Sequence, residues 1–324
     1  MVLEPAGRQY VSRAASQGLL ASLEQLPGEP LHGFFGPGSV TWQINRESAV
    51  FLGAGRAALL QLAHPWVAAA LTQHSNLLHD AVGRFHSTFR VIYTMLFGTR
   101  AQALEAARQL YQRHTGIRGE LPHTVGAYAQ GEHYEANEVA ALRWVHATLV
   151  ESAMLAYEFV LPLSPADREQ YYSESQRMAV LFGIPAETLP KSWSAFVEYT
   201  AEMFDSPQLC VNAGALALGR SVMSGGGSRL HPPHWYQAIT AHWMPVRLRT
   251  AFELPFGAPE KQAVSRAARW LPRLYPHLPG MLRFVGPFHE ANARLRGRKP
   301  GALTRKSNRF WMGLPRLLYA KPPE

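Results

Sequence analysis

Apolar residues in this chain recur at helical spacing over most of its length, and runs that alternate as a strand would are sparse. The spacing predicts helices over Asn45–Ala63, Pro65–His79, Arg84–Phe97, Thr99–His114, Glu138–Phe159, Pro165–Phe182 and Lys191–Phe204. Further helices are expected near His234–Thr250 and Ala258–Leu271. Several ends are marked chemically. Pro65 follows His64 as a helix-starting proline, and Ser164-Pro165 supplies an N-cap and a first-turn proline. Asp167 and Glu169 suit the positive end of that helix, and Gly116 and Gly183 stand where helices should stop. "MSGGGSRLHPPH" (223–234) is the best loop candidate, a plain connector in preference to a lid. No fixed-period repeat is visible. With 324 residues and 47% hydrophobic content, such a chain can bury a large core.

One stretch argues for a different fold. In "FLGAGRAALLQLAHP" (51–65), Gly53-x-Gly55-x-x-Ala58 resembles the glycine turn of a dinucleotide site. That site needs a second parallel strand, and an acidic residue ~20 positions on to bind the ribose. Here residues 73–78 read Gln-His-Ser-Asn-Leu-Leu, within another helical pattern. The match is accidental. The small residues at 53, 54, 55, 57 and 58 instead suit close approach by a neighbouring helix or a flat ligand.

Composition removes other classes. The single cysteine, Cys210, excludes an internal disulfide framework and multi-cysteine zinc or iron–sulfur sites. It also lacks the glycine-bearing context of a thiolate haem ligand. No pair of Glu-x-x-His motifs supports a di-iron bundle. The N-terminus lacks the basic-then-apolar pattern of a secretory signal. The longest stretch free of acids and bases, Ala57–His79, carries too many polar residues for a membrane span. These features read as a soluble, cytoplasmic protein. Charge is uneven: residues 220–324 hold 18 Lys/Arg against 4 Asp/Glu, whereas residues 1–219 hold 14 against 19. The basic C-terminal third is a solvated face or a peripheral contact for anionic membrane. Nucleic acid is disfavoured, because the arginines are scattered among Pro, Leu and Trp instead of alternating with stacking aromatics.

Among fourteen histidines, position on an apolar helix face separates candidates from bystanders. Leu104, Ala107, Tyr111 and His114 form one stripe, so His114 points inward near a helix C-terminus. A neutral imidazole there is a good axial iron ligand, and a histidine capping the last carbonyls would occupy the same place. His146 shares a face with Leu142, Leu149, Ala153 and Ala156, as a second ligand, a pocket donor or a satisfied core histidine. Arg84 and Thr88, at i and i+4, project from one side of a helix start. They suit a carboxylate such as a haem propionate or a bound oxygen species, or they are a surface arginine beside a back-bonding threonine. His79-Asp80, with His64 or His74 and Asp167 or Asp205, raises a metal phosphohydrolase of the HD type as a lesser alternative.

With these residues assembled, the chain resembles the MpaB-type oxygenases, whose catalytic domain is shared with latex-clearing rubber oxygenases. The stretches that carry the resemblance include "FFGPGSVTWQINRE", "GAGRAALLQLAHPWVAAALTQHS", "RFHSTFRVIYTMLFG", "HTGIRG", "YEANEVAALRWVHATLVES", "SPADREQYYSESQRMAVLFGIP" and "LPKSWSAFVEY", with weaker similarity through "MPVRLRTAFELPFG". The resemblance implies an all-α fold: a single large helical domain with a non-covalent b-type haem pocket between core helices and a histidine as proximal ligand. In the rubber-cleaving members an arginine and a threonine four residues later precede that histidine by about thirty positions, and Arg84, Thr88 and His114 fit that arrangement. His146, in "WVHATLV", also matches a motif position. The implied organisation is an N-terminal arm (1–33), the oxygenase-type domain (34–257) and a basic helical extension (258–324) packed on it.

One departure bears on substrate. Rubber oxygenases carry a distal glutamate before the arginine, whereas "HPWVAAALTQHS" leaves no acid between Arg56 and Asp80. The expectation is a haem-dependent oxygenase that joins O₂ to an apolar, unsaturated or isoprenoid-like substrate other than polyisoprene. Its alternative is a helical module that carries haem or lipid without turnover and docks on anionic surfaces.

Overall fold

In the computed structural model the described residues are 8–75, 77, 80–226 and 231–319. They form an all-α protein of sixteen α-helices with one two-stranded sheet. The first helix, α1 (Arg13–Glu24), starts where the Ser12 side chain accepts from the Ala15 amide. It is followed by α2 (Val40–Asn45), α3 (Ala54–Leu62) and α4 (Pro65–His74). Next come α5 (Ala81–Phe97) and α6 (Arg100–Thr115), the latter closed at its start by a reciprocal cap between Thr99 and Gln102. A short antiparallel hairpin, Arg118–Glu120 with His133–Glu135, leads to α7 (Val139–Glu158).

Thirteen of the twenty residues of α7 are buried, so it is apolar nearly all round and forms the axis of the fold. Around it lie α2, α3 and α8 (Pro165–Leu181), and α9 (Trp193–Asp205) meets it where Phe204 packs edge-on against Trp144. Ser164 and Asp167 cap α8 reciprocally. Next are α10 (Ala213–Ser224), capped by Asn212, then α11 (His234–Trp243) and α12 (Val246–Ala251). The chain finishes with α13 (Ala258–Leu274), α14 (Gly280–Arg283), α15 (Gly286–Leu295) and α16 (Ala302–Met312). α13 packs on α11, whereas α15 and α16 pack on α5. Val285, Phe288, Ala291 and Met312 thereby join Trp42, Phe97 and Leu104 in one buried cluster.

The structure divides two segments that periodicity reads as continuous. Between Asn45 and Ala54 the backbone extends at Glu47, which bridges to Phe284, and then forms a 3₁₀ turn over Ser48–Gly53. The cause lies far along the chain. The Glu47 carboxylate is 0% exposed and takes two hydrogen bonds from Arg283 (2.7 and 3.0 Å) and one from the Tyr275 hydroxyl (3.0 Å). The second break, between α11 and α12, is local: Met244 precedes Pro245 and is held extended, as the proline ring requires. α4 ends at His74, with Ser75 extended. Residues 76, 78 and 79 of the expected Pro65–His79 helix, and 227–230 of the 223–234 loop, lie outside the described residues.

The glycine pair of the false dinucleotide turn has a packing role. A Cβ at Gly53 would collide with the Ser152 carbonyl oxygen on α7, and one at Gly55 would come within 2.9 Å of Thr240 Oγ1 on α11. The Tyr236 hydroxyl secures the same junction, accepting from the Gly55 amide (3.0 Å) and donating to the Phe51 carbonyl (3.1 Å).

Candidate active-site cavity

Small residues on α3 leave room beside that junction. Ala54, Gly55, Ala57 and Ala58 form one wall of a cavity of about 870 Å³, within the range of small-molecule and cofactor pockets. Trp66 and Leu71 from α4, Phe85, Phe89 and Ile92 from α5, and Leu142 and Leu149 from α7 make the lining mostly apolar. Phe310 and Trp311 of α16 close it on a further side.

Arg84, Thr88 and His114 all line this cavity. His114 enters from the last turn of α6, below the buried Leu104 and Ala107. Its Nδ1 is buried without a hydrogen-bond partner. Burial first, then the charges of Arg84 and Arg113, push its pKa down to about 4, with the Asn137 side chain opposing the shift. The ring is therefore a neutral imidazole at neutral pH, a state with a lone pair to donate.

Arg84 projects from the first turns of α5. Burial, and secondarily Arg113, lower its pKa from the ordinary guanidinium value. Among the described residues no carboxylate lies within ion-pair distance of it. A largely desolvated cation without a counter-charge is costly, and a bound anion would relieve it. The Thr88 hydroxyl donates to the Arg84 carbonyl (3.0 Å), so its proton is engaged within its own helix and it offers the cavity lone pairs only.

His146 stands apart from these three. It is buried, its Nε2 lies 3.0 Å from the Ser175 carbonyl, and burial lowers its pKa to about 4. It faces a separate pocket of about 80 Å³, which shares Phe51, Ala57, Phe89 and Phe182 with the larger one. Among the described residues the remaining polar candidates do not assemble a metal centre. Asp80 caps α5 through the Gly83 amide, Asp167 caps α8, and His74 approaches the Arg118 carbonyl at 3.1 Å. His79 lies outside the described residues. Among the described residues no group of three His, Cys, Asp or Glu is placed to hold a metal ion.

Two polar residues of the lining escape a reading by helical stripe. Arg113 adjoins His114 in sequence and adds a second positive charge. Glu135, at the end of the hairpin, is the single carboxylate among the described lining residues. The adjacency of Arg113 was visible in the sequence, whereas Glu135 arrives through strand pairing with Arg118.

An all-α protein with a large apolar cavity, a neutral histidine and an arginine without a carboxylate partner among the described residues is the class that fold and site define. Residues 41–274 match the family described as ER-bound oxygenase mpaB/B'/rubber oxygenase, catalytic domain, and the chain belongs to that family of oxygenase catalytic domains. Neither the curated proteins nor the solved structures contain a match to the chain.

Proposed function

We propose that the protein is a haem-dependent oxygenase of an apolar small molecule, with His114 as the proximal ligand to iron. The observation that carries this reading is the neutral imidazole of His114 on the wall of a cofactor-sized cavity, its Nδ1 buried and without a hydrogen-bond partner, beside a guanidinium with no carboxylate partner among the described residues. This donor set fits a b-type haem: a neutral nitrogen donor for the metal, a cation for a propionate, and small residues where a flat ring could lie. Bound there, haem would supply the redox-active iron that chemistry with O₂ requires.

The chain's own groups have distinct tasks in this reading. His114 donates a lone pair, and its low pKa keeps that lone pair free of a proton throughout the neutral range. Arg84, assisted by Arg113, neutralises a carboxylate. The aromatic and aliphatic lining excludes water and accepts an apolar, unsaturated or isoprenoid-like chain. Glu135 can accept a proton at the cavity wall, from a different part of the chain than the distal acid of rubber-cleaving relatives. His146 supports the pocket through its bond to α8.

The test is addition of haem to the purified protein, followed by oxygen-electrode measurements with unsaturated lipids and isoprenoids. The reading expects a stoichiometric Soret-absorbing complex that consumes O₂ with at least one such compound. Failure to take up haem would refute it. Haem uptake without oxygen consumption across that panel would favour a carrier over an enzyme.

A further inference from the structure

α16 is a wall with an inside and an outside. On the inner side Trp311 stacks on Phe51, with ring centroids 4.3 Å apart, and lines the cavity. Its neighbour Phe310 meets Trp311 edge-on at 4.8 Å, also lines the cavity, and is nevertheless 59% exposed. Phe310 therefore sits on the rim. Leu303, two turns earlier on the same outer face, is 68% exposed, and exposed Lys306 lies between them. Across the rim, His86 Nε2 lies 2.9 Å from the Phe310 carbonyl oxygen. Val82, one turn before His86 on α5, is a further exposed apolar residue that lines the cavity.

The chain segment that forms this face is strongly basic. Residues 286–319 contain eight Lys/Arg and a single acid, Glu290. That acid is engaged inward, accepting from Asn308 Nδ2 (2.6 Å) and from the Leu317 amide. Arg296, Arg298 and Lys299 in the turn before α16, and Lys306 and Arg309 on it, are exposed. Among the described residues no helix is long and apolar enough to cross a membrane, so any membrane contact through these helices is peripheral. Bulky apolar side chains among solvated cations suit the boundary between anionic headgroups and acyl chains, where each part meets its complement.

We propose that the outer face of α16, with the basic turn before it, docks on an anionic phospholipid bilayer and sets the Phe310 rim of the cavity against the lipid. The inference deepens the oxygenase reading by naming where an apolar substrate enters, directly from the bilayer. Docking itself does not depend on the cofactor, so its failure and the failure of the haem assignment are separable. All of α16 lies beyond the family-matched stretch, so the proposed entry route runs past a part of the chain outside 41–274.

The experiment is co-sedimentation of the full chain, without added haem, with vesicles of phosphatidylcholine alone or containing about one third phosphatidylserine. The expected result is binding to the anionic vesicles at least roughly 10-fold tighter than to neutral ones, weakening as salt is raised. Lys306→Gln/Arg309→Gln should weaken it by roughly 10- to 30-fold, and Leu303→Ser/Phe310→Ser by a similar factor. A triple change in the exposed turn, Arg296→Gln/Arg298→Gln/Lys299→Gln, tests the charge contribution away from the core should a helix variant misfold. Absence of wild-type binding, equal binding to both vesicles, or folded variants that bind like wild type would each overturn the proposal. So would retention by single-stranded DNA with none by vesicles.

Discussion

The guanidinium of Arg84 and the imidazole of His114 face one cavity from two different helices, and after burial it is the Arg84 charge that most disfavours a proton on His114. The same proximity leaves the arginine beside a base that cannot serve as its counter-charge. Among the described residues the site thus holds a neutral donor and a cation without a carboxylate partner together, an arrangement that, on the proposed reading, a ligand carrying both a metal and a carboxylate would satisfy.

Removing the cation should loosen an anionic cofactor without removing its metal ligand. Arg84→Gln is expected to weaken haem retention by roughly 10- to 100-fold, the range for losing one charge-assisted pair. Arg84→Lys should recover part of it. Thr88→Val should change retention by less than about threefold, because the hydroxyl is bonded to its own helix. Competition for haem with apomyoglobin measures all three, and a Thr88→Val effect as large as that of Arg84→Gln would contradict the assignment.

His146 should prove structural. His146→Leu removes the contact with the Ser175 carbonyl and is expected to cost roughly 1–3 kcal/mol of stability in urea unfolding. The Soret band of the haem-loaded variant should match wild type. A shifted band would show that this ring reaches the cofactor after all.

Stability should fall on the acid side of neutrality. His64, His114 and His146 each have a folded-state pKa of about 4 against an ordinary value of 6.5. The unfolded chain therefore binds protons that the folded one refuses. The stabilisation is complete above about pH 6.5 and is lost as pH falls from there toward 4. Urea midpoints at several pH values in this window should decline steadily. A flat profile would mean that these rings are protonated in the folded protein.

The Glu47–Arg283 pair ties the C-terminal helices to the start of the cavity wall. Arg283→Met leaves a fully buried carboxylate with only the partly exposed Arg46 as cationic partner and should cost roughly 3–5 kcal/mol in urea unfolding. Glu47→Gln/Arg283→Met should recover much of that loss. Equal stabilities for Arg283→Met and wild type would show that the clasp contributes nothing.

What the sequence carried was whatever is encoded locally. Ser164 and Asp167 are legible as a helix start because caps act within three residues, and they form that start. The stripe ending at His114 follows from the 3.6-residue period, and it reaches the cavity that Arg84 and Thr88 also line. The break at Glu47 was illegible, since its cause is an arginine 236 positions away. The hairpin that delivers Glu135, three residues per strand, is too short for alternation to register. The place of α16 was hidden for the same reason as the break at Glu47. Nothing near Trp311 in sequence announces that it will stack on Phe51.

The account stands most directly on the haem affinity of His114→Ala measured beside wild type by Soret titration, with imidazole added in a parallel series. It predicts a stoichiometric complex for wild type, an affinity lower by roughly 100-fold or more for the variant, and partial recovery when imidazole fills the vacated position. A His114→Ala protein that binds haem with wild-type affinity and spectrum would contradict it.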